Sequence, residues 1–184
     1  MRRRTARHKF EPRPSVADPR NHLLEAVLAF VGAARATPGV RRIALVGSLT
    51  TDKPVPKDAD VLVTIDATMD LASLAVLGRR LKGAAQYINL GADIFLADEA
   101  HGYIGRICGF RECRPRMRCL ALHCGEREHL NDDLQVVTLA SALVSAPPID
   151  LWPRVVARCA VPADTQALLL AKLAEDEPRS DQEC

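Results

Sequence analysis

The sequence predicts a mixed α/β (α+β) fold, a small mixed sheet flanked by helices with a cysteine-rich extension on its C-terminal side. Three observations lead there. Between residues 18 and 100 the apolar period switches from helical to alternating and back again. The 184-residue chain is 48% hydrophobic and 26% charged, which suits a buried core and excludes a fully disordered chain. From residue 101 onward, arginine and cysteine are interleaved, so that segment has its own composition.

Residues 1–17 hold Arg2, Arg3, Arg4, Arg7, Lys9 and Arg13 with two prolines and no apolar period, which predicts a disordered basic tail. Asp18 followed by Pro19 makes an N-cap and first helical position. Leu23, Leu24, Val27, Leu28 and Val31 then recur at helical spacing up to the break at Pro38-Gly39. Ile43 to Val46 reads as a buried strand ending in Gly47-Ser48, and residues 49–57, with two prolines and two lysines, as an exposed loop.

From Asp58 the chain alternates. Ala59, Val61, Val63 and Ile65 form an apolar face, and Asp58, Asp60, Leu62 and Thr64 lie on the other. Leu71, Leu74, Leu77 and Leu81 predict a second helix, with Arg79, Arg80 and Lys82 expected near its end, where the helix dipole favours cations. Gly78 argues against that helix locally, because glycine costs about 1 kcal/mol relative to alanine there. Residues 92–97 read as a third strand and 134–139 as a fourth, and 168–173 as part of a short C-terminal helix. The expected organisation is a tail (1–17), a core (18–100), a Cys/Arg-rich extension with a C-terminal helix (101–175) and a polar tail (176–184).

Charge and cysteine content narrow the setting. Lys+Arg 25 against Asp+Glu 23 leaves +2, so bulk charge gives no case for a nucleic-acid or membrane partner. No apolar run approaches the ~20 residues needed to cross a bilayer, and none follows the N-terminal arginines, so a cytoplasmic location is expected. Six cysteines in that setting raise metal binding rather than disulfides.

The chemistry concentrates in two places. Gly47-Ser48 closes an apolar strand, nine residues intervene, and Asp58-Ala59-Asp60 opens the next. A glycine allows close backbone approach to a phosphate, and Ser48 with neighbouring N–H groups offers donors to phosphate oxygens. Asp58 and Asp60 are two apart on a strand and share a face, where their repulsion calls for a cation; hard oxygen ligands suit Mg2+ or Mn2+. An isolated Gly-Ser or Asp-x-Asp is weak evidence, because strand-end carboxylates are usually just solvated. Lys53 and Lys57 read more simply as solvated loop lysines, and His22 as a surface residue.

The joint pattern over residues 22–98 resembles the nucleotidyltransferase superfamily related to DNA polymerase beta, in particular its minimal nucleotidyltransferase members. The resemblance implies a nucleotidyltransferase-like sheet, phosphate binding by Gly47 and Ser48, and metal binding and catalysis by Asp58 and Asp60. It also implies a third acid on a following strand, for which Asp93 is the first choice and Asp98, of opposite parity, the second. The implied reaction moves NMP, AMP from ATP in the first instance, from a nucleoside triphosphate to an acceptor hydroxyl with loss of pyrophosphate. The acceptor, whether a protein, an RNA end or a small molecule, stays open. The chain departs from the family over Leu49 to Lys57, which lacks the small, arginine-rich run that often follows the serine.

The second place is Cys108, Cys113, Cys119 and Cys124, separated by four, five and four residues, with His123 adjacent. These are possible ligands for a structural Zn2+, or equally free buried thiols, since the spacing lacks a tight C-x2-C pair. The arginines there, with His101, His123 and His129, can face a polyanion or form a solvated face; aromatics at 4%, with Trp152 the single tryptophan and Tyr103 and Phe110 the nearest rings, favour the solvated face. The alternative to an enzyme is a non-catalytic module on the same scaffold, binding nucleic acid or a protein partner through this segment.

Overall fold

The computed structural model describes residues 18–111, 113, 127–132 and 134–175. Helix α1, Pro19–Ala34, begins as the sequence predicts. The Asp18 carboxylate accepts from the N–H groups of Arg20 at 3.0 Å and Asn21 at 3.2 Å, satisfying donors that have no partner within the helix. Strand β1, Val40–Val46, leads through a short 3-10 turn, Gly47–Thr50, and a loop to β2, Asp58–Ile65. Helix α2, Ala72–Tyr87, crosses over to β3, Gly91–Ala97, which lies parallel to β2; a parallel pair requires such a crossover.

Strands from beyond residue 100 join the same sheet. They are β4 (Tyr103–Ile107), β5 (Leu130–Asn131), β6 (Ile149–Trp152) and β7 (Val156–Ala157). Among the described residues the order is β5-β4-β3-β2-β1-β6-β7, antiparallel except at β2–β3. The fold is therefore mixed α and β around one seven-stranded sheet. No helix among the described residues is long and apolar enough to cross a membrane.

The two faces of the sheet have different covers. On one, Ala59, Val61, Val63 and Ile65 pack with Ile43 and Leu45 of β1 and Ile94 and Leu96 of β3. Leu23, Leu24 and Val27 of α1, Leu74 and Leu81 of α2, and Leu169, Leu170 and Leu173 of the C-terminal helical stretch cover them. Full burial of such side chains stabilises the fold by roughly 1.5–3 kcal/mol each. On the other face a smaller cluster of Ala44, Val46, Leu62, Ala97 and Val144, joined by Leu139 and Leu143, covers only part of the sheet. The acidic ends of β2 and β3 lie on this second face.

Several expectations need correction. Residues 134–139 are a turn and irregular chain, not a strand; Leu134 and Val136 are exposed, and the apolar residues that follow serve as the cover of the second face through α3, Ser141–Ser145. Arg79, Arg80 and Lys82 sit mid-helix, because α2 runs on to Tyr87, and Asn89 just beyond takes a left-handed φ of 61°. The 49–57 loop is not wholly exposed, since Leu49, Thr50 and Pro56 are buried. Gly78 has a packing reason: a Cβ there would meet Ile94 Cδ1 at 2.8 Å, so glycine lets α2 lie close on the sheet.

Candidate functional site

β1 ends, and β2 and β3 begin, at one end of the sheet, and the register there brings the sequence-predicted residues together. Asp60 is paired with Val46 of β1 on one side and with Asp93 of β3 on the other; Asp58 is paired with Gly91. Asp58, Asp60 and Asp93 thus share the second face across two neighbouring strands. All three are half-buried.

Gly47 and Gly91 leave room for the carboxylates. Gly47 has a φ of +70°, a conformation side chains resist, and a Cβ on it would run into Asp60 Oδ2; a Cβ on Gly91 would run into Asp58 Oδ1. Gly47→Ala is therefore expected to cost about 1–3 kcal/mol and to displace the Asp60 carboxylate. Thermal melting together with the position of the Asp60 carboxylate in a structure of the variant checks this, and a variant as stable as the parent with that carboxylate unmoved contradicts it.

The turn is held from behind by Arg20, a residue that sequence reasoning missed. Arg20 is buried in α1. Its guanidinium donates to Leu49 O at 3.0 Å, Lys53 O at 3.1 Å, Thr165 Oγ1 at 3.1 Å and, at 3.5 Å, Ser48 O, and it pairs with the Asp164 carboxylate. Within the turn, Thr50 Oγ1 donates to Gly47 O at 2.8 Å and Thr51 Oγ1 to Ser48 O at 2.9 Å. Ser48 itself is half-buried, while Lys53 and Lys57 are exposed.

The electrostatics fit a crowded acidic site. Burial, then the charges of Asp58 and Asp93, push the Asp60 carboxyl up to about 6, with Arg106 partly offsetting them. Arg106 of β4 pairs with Asp93, Nη1 to Oδ2 at 3.1 Å. Asp98 stands apart: its Oδ1 accepts from Gly102 N at 2.7 Å in the turn between β3 and β4.

Toward Asp93 the surface opens into a cleft. The β3–β4 ladder pairs Phe95–Ala97 with Tyr103–Arg106, and beyond it lies a cleft of about 530 Å3 that Asp93 shares with Arg79, Lys82, Arg106, Phe110 and Arg111. Arg79 Nη1 donates to Phe110 O at 3.2 Å, tying α2 to the chain after β4.

The donor set at Asp58, Asp60 and Asp93 is of the hard oxygen type that takes Mg2+ or Mn2+, and a cation there would relieve the repulsion raising Asp60. As the side chains stand, among the described residues no group of three or more His, Cys, Asp or Glu is placed to hold a metal ion; Asp93 is turned to Arg106. Of the four cysteines, Cys119 and Cys124 lie outside the described residues, as does His123. Cys108 is buried and its N–H donates to His129 O at 2.8 Å, while Cys113 Sγ accepts from His129 N at 3.0 Å. His22 is half-buried, with Nε2 2.9 Å from Ala84 O.

No family model matches the chain, and no curated protein or solved structure matches it either.

Proposed function

We propose that this chain is a metal-dependent nucleotidyltransferase with a nucleotidyltransferase-like core. The observation that carries the reading is the register: Asp60 opposite Asp93, Asp58 one step along the same face, and Gly47 of the adjoining turn against the Asp60 carboxylate. Separate parts of the sequence are thereby brought to one end of one sheet, and a lone Asp-x-Asp would not require that.

In this reading Gly47 and Ser48 receive the phosphates of a nucleoside triphosphate, ATP first among them. Asp58 and Asp60, with Asp93, would hold Mg2+ or Mn2+, which when bound supplies charge neutralisation at the transferring phosphate. An acceptor hydroxyl attacks the α-phosphorus in line, its new P–O bond forming as the bond to the β-phosphate oxygen breaks, and pyrophosphate leaves. Asp93 takes the hydroxyl proton, and Arg106, paired with it, sets where that carboxylate points. Most of the catalytic effect is positioning and compensation of charge.

Labelled nucleoside triphosphates, supplied with Mg2+ or Mn2+ to lysate protein, RNA and small-molecule fractions, test the reading. Label is expected in one fraction and is expected to vanish with Asp58→Asn. The Asp93–Arg106 pair favours a second reading, a non-catalytic module that keeps the scaffold and neutralises its own acid. Absence of label in every fraction, alongside salt-sensitive RNA binding lost on neutralising the arginines, would favour that reading instead.

A further inference from the structure

We propose that the cleft beside Asp93 is the acceptor subsite and that it takes a phosphorylated small molecule, between a sugar phosphate and a mononucleotide in size. The inference rests on the transferase reading and adds the substrate class. Position comes first. Across the sheet the order is Gly47-Ser48 at the end of β1, then Asp58 and Asp60 on β2, then Asp93 on β3, then the cleft below β4. In-line displacement needs donor and acceptor on opposite sides of the reacting phosphorus. With the triphosphate on the turn, the cleft lies past Asp93 at the edge of β3, with α2 as its other wall, so an acceptor seated there reaches the acids from the side away from the turn.

Charge gives the class. Arg79, Lys82, Arg106 and Arg111 line the cleft with Asp93 as its acid. Arg106 is committed to Asp93 in this structure, while Lys82 and Arg111 are exposed at the cleft. Guanidinium and ammonium donors in such a concave setting bind phosphate through charge-assisted hydrogen bonds and disfavour a cationic acceptor. Size and lining select a small molecule over a nucleic-acid strand. A cleft of about 530 Å3 is in the range of small-ligand sites. Phe110 is its aromatic lining residue, whereas binding along a single strand draws on successive stacking rings.

The probe is ribose 5-phosphate, titrated into the metal-free, nucleotide-free full chain and followed by amide NMR shifts, with ribose as control. Shifts are expected at Lys82, Phe110 and Arg111, weakening with salt and absent with ribose. Lys82→Glu with Arg111→Glu, both exposed, is expected to weaken binding by at least about tenfold, and Lys172→Ala, exposed on the C-terminal helical stretch and outside the cleft, to leave it unchanged. Single Lys82→Ala gives the same direction with less perturbation of the fold. Equal shifts with ribose, no weakening in the charge-reversed variants, or binding of a single-stranded oligoribonucleotide without binding of ribose 5-phosphate each overturn the proposal. None of these readings involves metal or triphosphate. Absence of label in every fraction would therefore count against the transferase reading, and label that survived Asp58→Asn against the role of Asp58, while either leaves this titration unaffected.

Discussion

Asp60→Asn is expected to stabilise the metal-free protein and, under the transferase reading, to abolish nucleotidyl transfer. The Asp60 carboxyl is pushed from an ordinary 3.8 up to about 6 by burial and by the charges of Asp58 and Asp93. A carboxylate with a raised folded-state pKa binds its proton more tightly folded than unfolded. Stability is therefore lost as pH rises from about 4 to about 6, and the full penalty persists above that. The shift taken at face value corresponds to about 3 kcal/mol; solvent reaches part of this half-buried group, so about 1–2 kcal/mol is the expected penalty. Asparagine keeps the shape and removes the charge. The variant should melt about 2–6 °C above the parent at pH ~8, with the difference closing toward pH ~4. Mg2+ should raise the melting temperature of the parent, because a ligand of the folded state stabilises by mass action, and should leave the variant unchanged. A variant that melts at or below the parent at pH ~8 would show that burial and the neighbouring acids together do not destabilise the Asp60 carboxylate, and with that the electrostatic case for a cation there would go.

That pairing of instability with function also explains which parts of the site were legible in the sequence. Alternation along β2 was readable because its period of two is local, and it fixed the shared face of Asp58 and Asp60. Parity along an uninterrupted strand argues for Asp93 over Asp98, and β3 in fact stops at Ala97, leaving Asp98 in the turn that follows. What parity cannot give is the register that sets Asp93 opposite Asp60, which depends on how α2 packs and where β3 starts. The stretch from Leu134 to Leu139 looked like a strand because its apolar content is local information; the need to cover Ala44, Val46 and Leu62 on the second face is not. The end of α2 is marked in the sequence by Asn89-Leu90-Gly91, whose left-handed asparagine closes the helix. Arg106 was visible only as one arginine among many, since its link to Asp93 is a diagonal contact between neighbouring strands. Gly91 is legible only as punctuation before β3: its need to be glycine comes from the Asp58 carboxylate of another strand.

Arg20→Met is expected to cost more stability than any exposed substitution and to weaken triphosphate binding from a distance. Arg20 is nearly fully buried, and its hydrogen-bond partners lie between 28 and 145 residues away, on the turn after β1 and on the C-terminal helical stretch. Methionine fills much of the volume but removes one of the two donors to Leu49 O and takes away the guanidinium from Lys53 O and Asp164 Oδ2. Breaking a buried ion pair costs about 3–5 kcal/mol; Asp164 is partly open to water, and Thr165 Oγ1 still donates to Leu49 O at 3.0 Å, so about 2–4 kcal/mol is the expected loss. Arg20→Lys should recover only part of it, because one ammonium cannot serve donors that diverge toward the turn, the loop and Asp164 together. The same geometry makes a kinetic prediction under the transferase reading. Arg20 does not reach the acids, but it fixes the backbone of Ser48 and Leu49, so a loosened turn should raise KM for the triphosphate more than it lowers kcat when both proteins are assayed below their melting range. A stability loss with KM unchanged would make Arg20 a strut of the fold alone. A rise in KM that Arg20→Lys partly reverses would mean that the pocket for the phosphates is built from the first helix and the last as much as from the glycine and serine that face it.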